Sequence, residues 1–168
     1  MKLYVIRHGK AIQRGTISRD EERWLMPDGR AAFRATARLL AERKLELDLI
    51  VTSPLIRAVQ TADILAEALK YEGDLVVSPE LSPGFSREGL LRLVTESSSA
   101  RRLAIVGHEP DLGDVTASLF SLNGSLTLKK GMVVAMEWNP AAPGTAARFL
   151  WAAHKGRLVD AIDAVTGG

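Results

Sequence analysis

The sequence predicts an α/β protein with a mostly parallel sheet. Short β-branched runs alternate with longer segments whose apolar residues recur at helical spacing. This alternation is typical of sheets built from strand–helix units. The length of 168 residues suits a single domain spanning 1–168, since no repeat, low-complexity segment or linker interrupts the chain. We expect the tail after about residue 156 to be helical at best and frayed.

The predicted elements of the first half are, in order, a strand at 3–6, a helix at 28–43, a strand at 47–52, a helix at 53–69 and a short strand at 75–77. Asp28 is a suitable N-cap for the first helix, because its side chain can accept from a free backbone N–H. Ser53 is predicted to cap the second helix. Pro54 then takes the first helical position, where its missing N–H breaks no hydrogen bond.

The predicted elements of the second half are a turn at 82–84, a helix at 88–96, a strand at 103–106, a helix from 110 to about 123 and strands at 133–138 and 147–151. Gly124 suits a helix C-terminus, because glycine readily adopts the left-handed conformation found there. The last two strands surround a turn at 140–144 and are predicted to pair antiparallel.

Composition excludes several classes of partner. The net charge is only +2, and even the most basic loop, at 10–23, contains interleaved acidic residues, so we predict no nucleic-acid partner. No segment approaches the roughly 20 apolar residues that span a bilayer, and the N-terminal apolar run is too short for a signal peptide. The chain has no cysteine, which fits a reducing compartment. We therefore expect a cytoplasmic protein with no membrane partner.

Three polar segments each follow a predicted strand directly. Arg7 and His8 end the first strand, Arg57 lies in the first turn of the helix after the second, and His108 ends the strand at 103–106. Because ligands of open parallel sheets bind outside the carboxyl ends of the strands, we expect these side chains to converge in space.

These residue types point to a phosphate site. Arginine matches phosphate oxygens in bidentate fashion, and a neutral imidazole is a competent nucleophile near pH 7. Attack by His8 on phosphorus would give a phosphohistidine that water then hydrolyses, and Gly9 would let the backbone approach the phosphate closely. No metal site is predicted, because the chain has three histidines, no cysteine and no ligand pair at helical spacing. His154 has no evident partner and is not assigned to the site.

Three motifs together resemble a known family. The segment at 3–9 ends in Arg-His-Gly and resembles the motif that opens the histidine phosphatase superfamily, to which the phosphoglycerate mutases belong. The segment at 52–62, TSPLIRAVQTA, is similar to the second motif of that superfamily, and VGHEP at 106–110 is similar to the third. The likeness extends from the first residue to about Trp138.

The resemblance implies a fold and a role for each matching residue. The fold is a three-layer α/β/α sandwich of the phosphoglycerate mutase type, with no metal or nucleotide cofactor. His8 takes the place of the phosphorylated nucleophile, and Arg7 and Arg57 take the places of the phosphate-clamping arginines. His108 takes the place of the second histidine, which hydrogen-bonds the phosphoryl group and steadies the transition state.

Within the superfamily, the short chain resembles the SixA type of phosphohistidine phosphatase. Larger relatives carry insertions that usually supply an acidic general acid, whereas the segment at 77–90 is brief here. Glu80 lies nearest to that position and is the candidate general acid. Alternatively, Glu80 is an ordinary surface carboxylate. Glu109, beside His108, is a rival candidate for the acid.

Whether the site has a general acid influences which class of substrate it can cleave. A phosphomonoester gains about 10²- to 10⁴-fold from a positioned proton donor, whereas the P–N bond of phosphohistidine is labile. We therefore predict a phosphohistidine-bearing partner protein, such as a phosphotransfer domain. Two alternatives stay open: a small-molecule phosphomonoesterase with an open site, and a non-catalytic phosphate-binding regulatory module. Lys10 either makes the mouth of the pocket more basic or points to solvent.

Overall fold

A seven-stranded sheet forms the centre of the computed structural model, which describes residues 1–159 and 161–162. The strands are β1 (Lys2–Arg7), β2 (Leu49–Thr52), β3 (Leu75–Val77), β4 (Arg102–Gly107), β5 (Val133–Glu137), β6 (Arg148–His154) and β7 (Arg157–Val159). Their order is β3-β2-β4-β1-β5-β6-β7. Strands β3, β2, β4 and β1 run parallel to one another, and β5, β6 and β7 extend the sheet with antiparallel pairings.

Helices cover both faces of the sheet. They are α1 (Pro27–Glu42), α2 (Ile56–Leu69), α3 (Arg87–Glu96) and α4 (Asp111–Leu119), with single turns of 3-10 helix at Asp20–Glu22 and Pro79–Leu81. The first two helices pack together over one apolar cluster, which includes Phe33 and Leu65. The other two helices contribute Leu90 and Leu112 to a second cluster. A sheet between two helical layers confirms the predicted α/β fold class.

The central strand shows why its sequence is continuously apolar. Leu3 and Val5 belong to the cluster under α3 and α4, whereas Tyr4 and Ile6 belong to the cluster under α1 and α2. Because side chains alternate between the two faces of a strand, a strand covered on both faces has no polar position. Burying these four side chains stabilises the sheet at its centre by about 1.5–3 kcal/mol for each fully buried apolar side chain.

The predicted cap of α1 is wrong. The helix begins at Pro27, with Met26 as its N-cap, and Asp28 lies in the first turn. There the Asp28 carboxylate accepts from the backbone N–H of Gly29 at 2.9 Å and pairs with Lys10. Proline at the first helical position has no N–H to satisfy, which accounts for a helix start without a capping side chain.

The predicted start of α2 is also wrong. The helix begins at Ile56, and Leu55 rather than Ser53 is the N-cap. The hydroxyl of Ser53 instead accepts from the Leu55 N–H at 3.3 Å, in a local bend that precedes the helix. This bend sets Ser53 at the edge of the sheet, just after β2.

The end of α4 and the tail differ from the prediction as well. Helix α4 ends at Leu119, because Ser121 adopts the left-handed conformation with φ of 54° and closes the helix. Gly124 lies in the loop beyond. Residues 157–159, expected to be helical at best and frayed, form β7 and pair with β6. The rest of the predicted tail falls mainly on 160 and 163–168, outside the described residues.

The register of the parallel strands positions the site. Arg7 pairs with Gly107 across β1 and β4, and Thr52 pairs with Val106 across β2 and β4. The residues that follow these strands, His8, Ser53 and His108, therefore emerge side by side at the carboxyl edge of the sheet. Among the helices of the described residues, none is both long and apolar enough to cross a membrane.

Candidate active site

A cleft of about 810 Å³ opens at the carboxyl edge of the parallel strands. Arg7, His8, Arg57 and His108 all line it, so the structure brings together the four residues that the sequence singled out. The rings of His8 and His108 have centroids 5.2 Å apart. All three predicted segments thus contribute to one cavity.

His8 is held in one tautomer. Its Nδ1 lies 2.7 Å from the carbonyl oxygen of Gly9. Because a carbonyl oxygen only accepts, Nδ1 carries the ring proton and Nε2 keeps its lone pair. Burial lowers the pKa of His8 to about 3, although the Gly9 bond opposes that shift. At neutral pH the ring is therefore uncharged and Nε2 is available as a nucleophile.

His108 is held by a serine that the sequence analysis had assigned to a helix cap. The Nε2 of His108 lies 2.7 Å from the Ser53 hydroxyl oxygen, and its Nδ1 is buried with no hydrogen-bond partner among the described residues. Burial, followed by the charge of Arg57, lowers the pKa of His108 to about 4. If the Ser53 hydroxyl donates to Nε2, the Nδ1 of this neutral ring carries a proton that it can donate.

Arg57 binds a carboxylate that the sequence analysis missed. Its Nη1 donates to the Asp20 carbonyl at 2.7 Å, and its Nη2 donates to the Asp20 carboxylate at 2.8 Å. The same carboxylate accepts from Arg23 at 2.8 Å and from Arg14 at 3.2 Å. The Arg23 hydrogen bond, together with Arg57, lowers the pKa of Asp20 to about 2. Asp20 therefore stays ionised and gathers three arginines at the cleft.

A threonine connects the first motif to the second. The backbone N–H of Gly9 donates to the Thr61 hydroxyl at 3.1 Å, and that hydroxyl donates to the Arg57 carbonyl at 2.7 Å. A β-carbon on Gly9 would lie 3.2 Å from Leu25 and 3.4 Å from the Gly29 carbonyl. A side chain here would require Leu25 to shift by a few tenths of an ångström, so close packing favours glycine in addition to any approach by phosphate.

Three buried side-chain nitrogens in this cleft have no partner among the described residues. They are Nε of Arg7, Nε of Arg57 and Nδ1 of His108. A buried donor left without a hydrogen bond costs about 1–3 kcal/mol. An oxyanion with several acceptor oxygens fits such a group of donors, and the guanidinium groups supply the opposite charge. The arrangement is therefore suited to hold a phosphoryl group beside Nε2 of His8.

The two candidate acids have different surroundings. Glu80 does not line the cleft, and Arg92 of α3 donates to its carboxylate at 2.6 Å. Glu109 does line the cleft, and burial raises its pKa to about 7. Its Oε1 is buried with no partner among the described residues. The structure therefore does not bring the preferred candidate, Glu80, to the site, and it retains the rival.

The remaining cations lie at or beyond the mouth of the cleft. Lys10 lines the cleft and forms an ion pair with Asp28 at 2.5 Å, while its side chain stays 53% exposed. His154, at the end of β6, lies outside the cleft and lines a neighbouring groove. Within residues 1–159 and 161–162, no group of three or more His, Cys, Asp or Glu side chains is placed to hold a metal ion.

The fold and the two histidines and two arginines in one cleft fit the class of α/β phosphatases. The family model of the histidine phosphatase superfamily (branch 1) matches residues 3–83. An uncharacterized protein of Picosynechococcus sp. is 35% identical over 144 residues, which cover 81% of this chain and 84% of that protein. The chain belongs to the histidine phosphatase superfamily, and it is a phosphatase of that superfamily.

Two further comparisons point in the same direction. The phosphohistidine phosphatase SixA of Escherichia coli is 28% identical over 123 residues, covering 71% of this chain and 74% of that protein. A solved structure of the protein histidine phosphatase SixA in complex with tungstate superposes with a TM-score of 0.81 at 21% identity. It covers 92% of this chain and 97% of the SixA chain. This superposition confirms the fold.

Proposed function

We propose that the chain removes the phosphoryl group from phosphohistidine in a partner protein, through a phosphoenzyme on His8. The observation that carries this proposal is a group of three buried nitrogens, from Arg7, Arg57 and His108, that have no partner within the described part of the chain and lie in one cleft with a neutral His8 whose Nδ1 is bonded to a carbonyl. The donors match the oxygens of a phosphoryl group, and the tautomer leaves Nε2 free to attack phosphorus.

The reaction has two displacement steps. In the first, the Nε2 lone pair of His8 forms a bond to phosphorus while the P–N bond of the substrate breaks, and the departing imidazole takes a proton from solvent. In the second, water attacks the phosphoryl group on His8; the water loses a proton, and His8 leaves as a neutral ring with Nδ1 still protonated. Arg7, Arg57 and His108 stabilise the oxygens in both steps.

Two observations favour phosphohistidine over a phosphoester. Glu80 is bonded to Arg92 away from the cleft, so the position expected to supply an acid does not supply one. Substrates with a labile P–N bond depend least on such an acid. The likeness to a phosphohistidine phosphatase of Escherichia coli supports the same substrate class.

Glu109 favours a second candidate, hydrolysis of small phosphomonoesters. Its carboxyl lines the cleft, and a pKa of about 7 leaves a large fraction of it protonated at neutral pH. A protonated carboxyl there would donate to an alkoxide leaving group. In this alternative Glu109 acts as the general acid and the chemistry at His8 is unchanged.

The test compares wild type, His8→Ala and Glu109→Gln on a phosphohistidine peptide and on p-nitrophenyl phosphate, with EDTA present throughout. We expect wild type to dephosphorylate the peptide faster, and His8→Ala to lose at least about 10³-fold of that activity. Glu109→Gln should leave peptide turnover within about 3-fold, since the labile P–N bond does not need an acid.

The remaining outcomes separate the alternatives. If p-nitrophenyl phosphate is the better substrate and Glu109→Gln lowers its turnover by 10-fold or more, the phosphomonoesterase replaces the phosphohistidine phosphatase. If phosphate binds but neither compound turns over, the protein is a phosphate-binding module. Loss of peptide turnover in EDTA would overturn the predicted independence from metal ions.

A further inference from the structure

A second groove adjoins the catalytic cleft, and four of its eight lining residues are lysines. Its volume is about 520 Å³, and its polar lining consists of Lys10, Lys129, Lys130, Lys155, His154 and Asp28. We call it the lysine groove. No step of the proposed reaction uses Lys129, Lys155 or His154, although they lie together beside the catalytic cleft.

The lysine groove is continuous with the cleft. Lys10 and Lys130 line both cavities. The turn that carries Lys130 is fixed to the catalytic strand, because the N–H of Gly131 lies 3.1 Å from the carbonyl oxygens of both Arg7 and His8. The two cavities therefore adjoin, and a polypeptide whose phosphoryl group occupies the cleft would have its neighbouring residues next to the groove.

The charge of the groove is strongly positive. Four lysines face one carboxylate, that of Asp28, which Lys10 already binds. Lys129, Lys130 and Lys155 are exposed, and no carboxylate of the described residues lies within 4.0 Å of them. The pKa of His154 is lowered by partial burial and then by repulsion from Lys155 and Lys129. That repulsion is a second sign of uncompensated positive charge.

The chemistry of these donors indicates what they bind. Arginine forks and buried N–H groups form tight phosphate sites, as around Arg57, whereas exposed lysines are hydrated point charges on flexible stems. Such charges recognise a diffuse negative surface and speed its association more than they hold one fixed group. Carboxylates distributed along a polypeptide suit the lysine groove better than a second phosphoryl group.

We propose that the lysine groove docks an acidic segment of the phosphorylated partner protein, with aspartates and glutamates close to the phosphohistidine. This inference rests on the proposed function and narrows its substrate class. The catalytic cleft takes the phosphoryl group, and the groove selects the polypeptide that carries it.

The test uses two synthetic peptides, each with one phosphohistidine, flanked by glutamates in one and by serines in the other. We expect wild type at low ionic strength to favour the glutamate peptide in kcat/KM by about 10-fold, and the preference to shrink in 0.5 M salt. The double variant Lys129→Glu with Lys155→Glu should abolish or reverse the preference.

Lys2→Glu with Lys70→Glu is the matched control. It changes the net charge by the same amount. Both lysines are exposed and lie at the edge of the sheet opposite the cleft. Lys70 also shares with Lys155 a φ of 50°. The control should keep the wild-type preference. A loss of preference as large as in the groove variant would mean that overall charge decides, and the docking proposal would fail.

Other outcomes distinguish the two proposals. If neither peptide turns over while p-nitrophenyl phosphate does, the proposed function fails, and the docking proposal fails with it. If wild type turns over both peptides equally well at low salt, the proposed function stands and the docking proposal is overturned. Preference for a serine peptide with a second phosphate over the glutamate peptide would make the groove a phosphoryl subsite and would also overturn it.

Discussion

The floor and the rim of the cleft are built in opposite ways. On the floor, His8, Arg57 and His108 are 8%, 3% and 4% exposed, and each has a short hydrogen bond to a fixed neighbour. At the rim, the side chains of Lys10 and Arg14 are 53% and 81% exposed. Burial strengthens every electrostatic interaction on the floor, whereas solvent screens the rim. The floor therefore carries the chemistry, and the rim influences which substrates arrive.

The largest expected effect is on the pKa values of the two histidines on the floor of the cleft, compared with an ordinary exposed histidine. With pKa values of about 3 and 4, the rings of His8 and His108 should remain neutral at pH 5, where an ordinary histidine is mostly protonated. Side-chain ¹⁵N NMR as a function of pH measures both the charge and the tautomer, and Nδ1 of His8 should carry the proton. Midpoints between pH 6 and 7 would remove the distinction between floor and rim.

The same shifts predict how stability depends on pH. The unfolded chain binds protons on these histidines near pH 6.5, whereas the folded chain does not bind them until about pH 3 to 4. Since the unfolded state then binds more protons, the free energy of unfolding should decrease as the pH falls from about 6.5 to 4. Urea unfolding at several pH values measures this trend.

The same substitution, arginine to lysine, made once on the floor and once at the rim, tests whether the two regions contribute differently to activity. Arg57→Lys and Arg14→Lys both keep the charge beside Asp20, but lysine loses the planar fork. We expect Arg57→Lys to lower kcat/KM for phosphohistidine peptide by about 10²-fold or more, and Arg14→Lys by less than about 3-fold. Equal losses in the two variants would show that the fork at Arg57 has no special role.

A smaller effect on activity is expected from Ser53, whose hydroxyl contacts the ring of His108. Ser53→Ala removes the hydroxyl that holds His108 and should lower kcat by about 10-fold, the value of one hydrogen bond. Ser78→Ala is the matched control, because its hydroxyl also accepts a 3.3 Å bond from the N–H two residues on but does not contact a histidine. An unchanged kcat in Ser53→Ala would mean that His108 needs no such support.

The sequence was sufficient to predict the elements that burial determines. A strand covered on both faces is continuously apolar, so β1 and β4 were recognisable, and parallel strands bring their carboxyl ends to one edge. That rule alone predicted that His8, Arg57 and His108 converge. The family resemblance added their roles, which remain predictions for the proposed experiments to test.

Long-range contacts of polar loop residues were not predictable in the same way. The bond between Arg57 and Asp20 joins residues 37 positions apart, and it depends on the path of a loop at 10–23 that was not assigned to the site. Glu80 was the candidate acid because it lies nearest to the position where larger relatives carry theirs, but its carboxylate forms an ion pair with Arg92 of α3 instead. No local pattern encodes either contact.

Two other elements differed from the prediction for a related reason. Strand β7 has three residues, as has the correctly predicted β3, but it lies in a segment expected to be a frayed tail, and it forms because the edge of β6 is available for pairing. The start of α2 was assigned to Ser53 because a proline follows it, although that hydroxyl serves the bend and His108. In both cases the tertiary neighbour determines the local structure.

Covalent capture of the phosphoryl group tests the central claim most directly. Wild type mixed with phosphoramidate, a small P–N donor, would be quenched within milliseconds in alkali, digested at alkaline pH and analysed by mass spectrometry. The predicted result is one phosphoryl group on the peptide that contains His8, stable in alkali, lost in acid and missing from His8→Ala. Turnover with the phosphoryl group on another residue, or with His8→Ala labelled like wild type, would contradict a phosphoenzyme on His8.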